Sequence, residues 1–263
     1  MRSLLLVTLL SAFSTTAANL PIPVTVYADD AYPPYSYVSD GVARGIYADI
    51  FEIAFSRMPR YHVTIIPVPF KRGLRLLESG RGFALYPPYY YANKRPYLDP
   101  YSKPVLKEEV AVFCDPKYVS NLETRTVWPD DYFGLTIGIN DSFEIGGDLF
   151  WKARDEGKIN VEPAKDNREN ILKLRAGRTH CYVNDKLSIL WELKELKRLN
   201  LIDKSTEFKL AINVSSEHGY LAYTAIAKER YPYKNDFVET LDKVILEMQN
   251  NGEIELITKK YRD

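Results

Sequence analysis

The segment YHVTIIPVPFKRGLRLLESGRGFALYPP at residues 61–88 carries the pattern that decides the predicted fold. It starts with a β-rich run at 61–68 and continues with a short helical pattern at 70–79, which Gly80 ends. An apolar strand at 83–86 follows and stops at two prolines. A strand, a helix and another strand form the unit of parallel sheets with helices on their faces, so the segment predicts an α/β fold.

The same alternation extends to both sides of this segment. A strand at 24–28 and a helix at 47–58 precede it, and an apolar strand at 105–114 follows it. After a polar, turn-rich segment, a second series is predicted, with strands at 135–139, near Val161 and at 179–184, and helices at 142–156, 167–176 and 185–199. The C-terminal part predicts two strands and two helices, at 208–214, 220–225, 237–248 and 254–261.

The two α/β series indicate two lobes. We expect lobe 1 to comprise residues 19–113 plus 213–263, and lobe 2 to comprise residues 114–212. The chain would then leave lobe 1 on one strand and return on another, and two short crossings make a hinge. The C-terminal helices are expected to rejoin lobe 1.

The N-terminus resembles a secretory signal peptide. Arg2 supplies a positive charge, residues 4–13 are apolar, and small residues up to Ala18 fit a cleavage site. A membrane anchor is the alternative, but the apolar run is shorter than the ~20 residues of a spanning helix. The sequence therefore predicts a signal peptide at residues 1–18 and a periplasmic protein.

Charge and histidine spacing argue against several other classes. The chain has 35 basic and 35 acidic residues, a balance that argues against nucleic-acid and anionic-membrane binding. Its three histidines lack metal-ligand spacing, and neither a phosphate-binding glycine loop nor a nucleophile elbow occurs. We expect no metal and no cofactor.

Two cysteines, Cys114 and Cys181, both lie in apolar, strand-like runs. An exported protein can oxidise such a pair to a disulfide, and two buried free thiols are the alternative. The sequence leaves both open, because it does not show whether the two residues approach each other.

Six segments in order resemble one family. They are DDAYPPYSY with DGVARGIYADI at 29–50, PVPFKRGLRLLESGRGFAL at 67–85, ALYPPYYYANKR with LDPYS at 84–102, LTIGINDSF at 135–143, LRAGRTHCYVND at 174–185 and NNGEIELITKKYR at 250–262. With these the chain resembles the bacterial extracellular solute-binding proteins of the polar amino-acid type, family 3, over essentially the whole mature sequence. The resemblance implies the two-lobed type 2 periplasmic-binding-protein fold, with a two-strand hinge and a central ligand cleft.

The resemblance also implies a function. The expected ligand is a small polar solute, an amino acid or a related carboxylate, delivered by a monomeric protein to an ABC transporter permease or to a membrane sensor. Arg95 stands where the family carries its carboxylate-binding arginine, and a guanidinium matches a carboxylate with two parallel hydrogen bonds. The alternative for Arg95 is a solvated side chain beside Lys94.

Two acidic residues are candidates for binding an ammonium group. Asp185 matches the family's carboxylate in the second lobe, although it also stands where a residue would cap the following helix. Asp29 ends the first strand, where ligands bind in open α/β sheets, or it is an ordinary turn residue.

Aromatic residues are expected to form the walls of the cleft. Tyr35 and Phe70 match the positions that sandwich the ligand, and a core position is the alternative for Phe70. Tyr90 belongs to a crowd of tyrosines at 86–91, of which about half are expected to face the cleft. Ser142 is expected to begin a helix whose free N–H groups hold the ligand carboxylate, or to be a plain N-cap.

The sequence departs from the family pattern at several ligand positions. Pro87, Pro88 and Ala92 replace the usual Ser/Thr-rich run, and a proline offers no N–H group. Asp141 replaces a glycine and would repel a carboxylate.

Two rival functions remain. One is a dehydratase on the same scaffold, with a general acid among Asp29, Glu144, Asp185 and Lys186. The other is a module that reports ligand status to a membrane partner. The expectation remains binding rather than catalysis.

Overall fold

A computed structural model describes residues 20–262 of the chain, so the predicted signal peptide lies outside the described residues. The described part contains thirteen strands and seven α-helices. The strands are β1 Ile22–Asp29, β2 Ala31–Tyr32, β3 Ser36–Ser39, β4 Val42–Arg44, β5 Tyr61–Val68, β6 Ala84–Tyr86, β7 Leu98–Tyr101, β8 Leu106–Cys114, β9 Thr136–Asn140, β10 Asn160–Ala164, β11 Cys181–Asp185, β12 Lys209–Gly219 and β13 Ala222–Thr224. The helices are α1 Ile46–Ser56, α2 Phe70–Glu78, α3 Asp148–Asp155, α4 Asn167–Arg175, α5 Lys186–Arg198, α6 Lys234–Asn250 and α7 Glu253–Lys259.

The first lobe is built on a five-stranded sheet in the order β5-β1-β6-β13-β7. Strands β5, β1 and β6 run parallel, and β13 pairs antiparallel with β6 and β7. The apolar residues of β1 and α1 pack with the C-terminal helices, whose Phe237, Leu241 and Ile257 are buried in the same core. The C-terminal helices thus rejoin the first lobe, as expected.

The second lobe is built on a sheet in the order β10-β9-β11-β8-β12. Strands β10, β9 and β11 are parallel, whereas β8 lies antiparallel to both of its neighbours. The two-lobed α/β prediction is confirmed by these two sheets.

The chain passes between the sheets at two adjacent places. Before β8 and after β12, Ser102 N donates to Leu221 O (2.8 Å), and Val105 N donates to Gly219 O (2.9 Å). Strands β8 and β12 pair within the second sheet along nearly their whole length. The lobe boundaries at 113/114 and 212/213 stay a prediction, because strand pairing alone does not define the moving units.

Cys114 and Cys181 form a disulfide, with their Cα atoms 4.0 Å apart. The two residues are direct register partners in the β8–β11 pair. This pairing decides between the two alternatives that the sequence left open.

The helix predicted at 142–156 begins only at Asp148. Ser142, Gly146 and Gly147 have φ values of 68°, 95° and 81°, and a right-handed helix cannot contain them. Residues 141–147 therefore form a loop between β9 and α3, which we call the 141–147 loop. The prediction of a helix start at Ser142 was wrong.

The sequence patterns also missed a small sheet of β2, β3 and β4 beside α1. Across residues 20–262, none of the helices has the length and apolarity needed to cross a bilayer.

Candidate functional site

A cavity lies between the two lobes, where parallel strands of both sheets end. Asp29 is the last residue of β1, while Phe70 and Pro87 closely follow the ends of β5 and β6. From the second lobe, the 141–147 loop enters just after β9. The carboxyl ends of parallel strands are the usual place for ligands in open α/β sheets.

The free space of the cavity is about 20 Å³. That room suits one or two water molecules. Its wall is made by Asp29, Tyr32, Phe70, Pro87, Tyr89, Tyr91, Arg95, Phe143, Glu144 and Ile145.

The Arg95 side chain is buried, with 4% of the residue exposed. Its guanidinium carbon lies 5.4 Å from the ring centre of Phe70 and 5.7 Å from that of Tyr91. Arg95 Nη2 donates to the Ser142 carbonyl oxygen at 3.0 Å. Burial lowers the pKa of Arg95, but a guanidinium stays charged in proteins.

No carboxylate of residues 20–262 forms an ion pair with Arg95. A guanidinium has five N–H donors, and the Ser142 carbonyl uses one of them. Glu144 lines the same wall and its charge acts on Arg95 without forming an ion pair. A buried guanidinium that no carboxylate contacts directly favours an anion from outside the chain.

Asp29 is the second charged group of the cavity, and it is 2% exposed. Its Oδ1 accepts a hydrogen bond from Ala31 N at 3.0 Å. Burial raises the pKa of Asp29 to about 8, so at neutral pH the carboxyl is mostly protonated. An ammonium group placed beside it would favour the ionised form instead.

Aromatic rings close the cavity between these two groups. The Phe143 ring meets Tyr32 at 5.5 Å and Phe70 at 5.4 Å between ring centres, both edge to face. Edge-to-face contact is a favourable geometry for aromatic pairs.

A buried glutamate, Glu108, holds part of this wall. It lies on β8, is 1% exposed, and accepts hydrogen bonds from Tyr32 (2.6 Å), Tyr47 (2.5 Å) and Tyr89 (2.7 Å). Burial, followed by the nearby charge of Asp185, raises the pKa of Glu108 to about 8. We call Glu108 and its three tyrosines the tyrosine–glutamate cluster. It fixes Tyr32 and Tyr89 in the positions where they line the cavity.

Sequence reasoning missed Glu108, although a signal was present. In the run LKEEVAVFC, every second residue from Leu106 is on the same face of the strand. Four of these five residues are apolar, and Glu108 is the exception. An acidic residue on the buried face of a strand needs hydrogen-bond partners, and tyrosines are plentiful in this chain.

Three of the predicted site residues, Asp29, Phe70 and Arg95, line the cavity. Tyr35 is buried behind its wall, where it stacks on Tyr32 with ring centres 5.1 Å apart. Tyr90 is 58% exposed and packs against Tyr101 on the outside. Tyr89 and Tyr91, its neighbours along the chain, line the cavity instead, because successive side chains alternate in direction. Ligand contacts of all these residues stay predictions.

Asp185 lies outside the cavity wall and has a full set of partners. Its carboxylate accepts from Ser188 N (2.8 Å), from Glu109 N (3.0 Å) and from the Tyr35 hydroxyl. It therefore caps α5, which is the alternative that the sequence allowed. Burial raises the pKa of Asp185 to about 6.

Ser142 meets the cavity through its backbone and not through a helix start. Its carbonyl oxygen contacts Arg95, and the preceding Asp141 pairs with Lys71 at 3.0 Å. Asp141 lines a groove outside the cavity, so it does not face Arg95.

The two lobes are in contact in this structure. Lys94 of the first lobe lies 3.2 Å from Asp148 of the second, and Ser188 Oγ donates to Pro33 O at 2.5 Å. These contacts hold the two lobes together beside the cavity. Within the described residues, no group of three His, Cys, Asp or Glu side chains is arranged to hold a metal ion.

Comparison with known proteins supports the same fold. A histidine kinase sensor domain with similarity to periplasmic binding proteins has a TM-score of 0.72 at 16% identity, over 93% of this chain and 97% of its own. An ancestral arginine-binding protein bound to arginine has a TM-score of 0.71 at 16% identity, over 93% and 100% of the two chains. The substrate-binding protein of an amino acid ABC transporter has a TM-score of 0.66 at 18% identity, over 91% and 98%.

No curated protein matches the sequence. The profile of one family, described as bacterial extracellular solute-binding proteins, family 3, matches residues 24–263. The structural neighbours establish the fold, and the profile match establishes the family. This chain belongs to the bacterial extracellular solute-binding proteins, family 3.

Proposed function

We propose that the protein binds a small polar carboxylate, such as an amino acid, at the cavity between its lobes, and that the cavity widens from about 20 Å³ of free space to admit it. The observation that carries the proposal is Arg95, a buried guanidinium in the cavity wall without an ion-pair partner among the described residues. A ligand carboxylate would supply the missing charge and accept two parallel hydrogen bonds.

Asp29 supports the choice of a zwitterion. It lines the same cavity as Arg95, and the Ala31 amide is the hydrogen-bond donor to its carboxylate oxygen. An amino acid would place its ammonium group against Asp29 and its carboxylate against Arg95. A ligand of this kind would pair with Arg95 and favour the ionised form of Asp29.

We further propose that the protein acts in the periplasm, after removal of residues 1–18, and delivers its ligand to an ABC transporter permease. The family match and the resemblance to the substrate-binding protein of an amino acid ABC transporter support this role. The N-terminal pattern of Arg2, an apolar run and Ala18 supports export.

The test is a thermal-shift screen of amino acids and small organic acids, followed by calorimetry on the ligands that stabilise the protein. A ligand that binds only the folded protein raises the unfolding temperature. In Arg95→Met the affinity for any carboxylate ligand should fall at least ~100-fold, because the buried charge pair is lost. Arg72→Met is the matched control, since Arg72 is an exposed arginine of α2. Equal affinity in the wild type and Arg95→Met would contradict the proposal.

Dehydration of a cyclic dienyl acid is a second candidate function, favoured by the Asp29 carboxyl. Its pKa of about 8 keeps it protonated at neutral pH, as a general acid requires, and Glu144 lines the same cavity. Asp185 and Lys186 lie elsewhere, with Lys186 paired to Glu109 at 3.6 Å. Incubation with such acids should form an aromatic product in the wild type and none in Asp29→Asn; no product in either removes this candidate.

A sensing role is the third candidate, and the likeness to a histidine kinase sensor domain fits it. Genes for a permease and an ATPase beside this gene would favour uptake. A sensor kinase gene in that place would favour sensing.

A further inference from the structure

The 141–147 loop places one side chain, Phe143, in the middle of the cleft. The Phe143 ring packs against the hydrophobic cores of both lobes, which few partly buried residues of this chain do. It fills the space between Tyr32 and Phe70, with edge-to-face contacts on both sides. A ligand side chain lying between these two rings would have to occupy the same place.

The loop is fixed on both sides of Phe143. Before it, the Ser142 carbonyl accepts from Arg95, and Asp141 pairs with Lys71. After it, the indole Nε1 of Trp128 donates to Gly146 O at 2.8 Å. Because both flanks are held, the ring position is set by the fold and not by a freely moving loop.

Phe143 and Phe70 also separate two compartments. Both line the inner cavity and an outer groove, together with Asp29. The groove has a volume of about 490 Å³, whereas the inner cavity has a volume of about 20 Å³. The groove has a small acidic excess, since Asp30, Asp141 and Glu169 outnumber its two lysines, Lys71 and Lys165, while Asp29 is mostly protonated at neutral pH.

We infer that Phe143 determines the ligand size, and that its ring, between Tyr32 and Phe70, makes the protein prefer a carboxylate with a small side chain over one with a long side chain. This inference rests on the proposed function and narrows it. Arg95 holds the carboxylate, and Phe143 takes the space that a longer side chain needs. Without the Phe143 ring, the inner cavity joins the acidic groove. A long ligand could then bind with its carboxylate at Arg95 and its cationic end in the groove.

The test compares affinities for glycine, alanine, leucine, phenylalanine and arginine in the wild type, Phe143→Ala and Phe143→Leu. The wild type should bind alanine at least tenfold more tightly than leucine or arginine, as expected where one methylene changes affinity by about 10–200-fold. Phe143→Ala should lower this ratio at least tenfold, with the largest gain for arginine, and Phe143→Leu should lie between. Phe133→Ala is the control, because Phe133 is a 40% exposed phenylalanine of the second lobe that contacts Lys158.

An unchanged ratio in both Phe143 variants would overturn the inference while leaving the proposed function intact. Binding of no panel member to the wild type would instead count against the proposed function. A second measurement then decides the inference: benzene should raise the unfolding temperature of Phe143→Ala, because it can restore the edge-to-face contacts that the Phe143 ring makes with Tyr32 and Phe70. Benzene should not stabilise the wild type or Phe133→Ala. Equal responses of the three proteins would show that Phe143 does not fill the space between these two rings.

Discussion

Replacement of Glu108 by glutamine should remove a large part of the pH dependence of stability. The pKa of Glu108 is raised from 4.5 to about 8 by burial in the folded protein, so the folded state binds a proton that the unfolded state releases above pH 4.5. Stability from this group is therefore fully present below pH 4.5 and is lost as the pH rises towards 8.

The size of this effect follows from the two pKa values. A single group with a pKa of 4.5 in the unfolded state and about 8 in the folded state lowers the free energy of unfolding by about 3 kcal/mol between pH 5 and pH 8. A glutamine side chain is neutral at both pH values, and its amide oxygen can still accept the hydrogen bond from the Tyr47 hydroxyl. Asp29 and Asp185 titrate in the same range, with pKa values of about 8 and about 6, so the variant keeps their contributions.

The assay is urea unfolding at pH 5 and pH 8, followed by tyrosine or tryptophan fluorescence. At pH 5 the Glu108→Gln variant should be close to the wild type, and at pH 8 it should be more stable by about 3 kcal/mol. Glu109→Gln is the matched control, because Glu109 is the next residue of β8 and its side chain is 60% exposed. A variant that loses as much stability as the wild type between the two pH values would refute the reasoning.

Two further outcomes follow from the fold. Replacing Cys114 and Cys181 by alanine opens a loop of 67 residues, and chain entropy predicts a loss of about 4 kcal/mol in the free energy of unfolding; urea unfolding measures it, and an unchanged midpoint would contradict it. Gly219→Ala would place a Cβ 1.8 Å from the Tyr47 hydroxyl, so we expect a loss of about 1–3 kcal/mol by thermal or urea unfolding. Wild-type stability in that variant would show that Tyr47 can move away at no cost.

The sequence predicted the elements whose patterns are local and regular. Strand β5 and helix α2 match their predicted bounds closely, because alternation and helical spacing act within one element. Asp29, Phe70 and Arg95, which the sequence singled out because each follows a clear strand or a recognisable motif, lie in the cavity wall, and their contact with a ligand stays a prediction. Phe143 was missed because Ser142 has the sequence pattern of a helix N-cap, which placed Phe143 in a predicted helix. The positive φ values of Ser142, Gly146 and Gly147, which rule out that helix, are seen only in the structure.

Contacts between distant segments were harder to predict. In the tyrosine–glutamate cluster, Tyr32 and Tyr47 of the first lobe donate to Glu108. They precede it in the sequence by 76 and 61 residues. The strands of the small sheet are two to four residues long, which is too short for a periodic signal. For the tyrosines at 89–91, the sequence predicts side chains of alternating direction. The bridge between Tyr89 and Gly219 in the structure determines which of them face the cavity.

The disulfide has a mechanical consequence. It joins β8, the strand by which the chain enters the second lobe, to β11 at the centre of the same sheet. The bond holds the Cys114 end of β8 to its neighbour. We therefore expect bending at the two chain crossings around Ser102–Leu106 and Gly219–Leu221. Spectroscopic labels placed one on each lobe should thus record a single rotation about that narrow axis, with no internal shear of the second sheet.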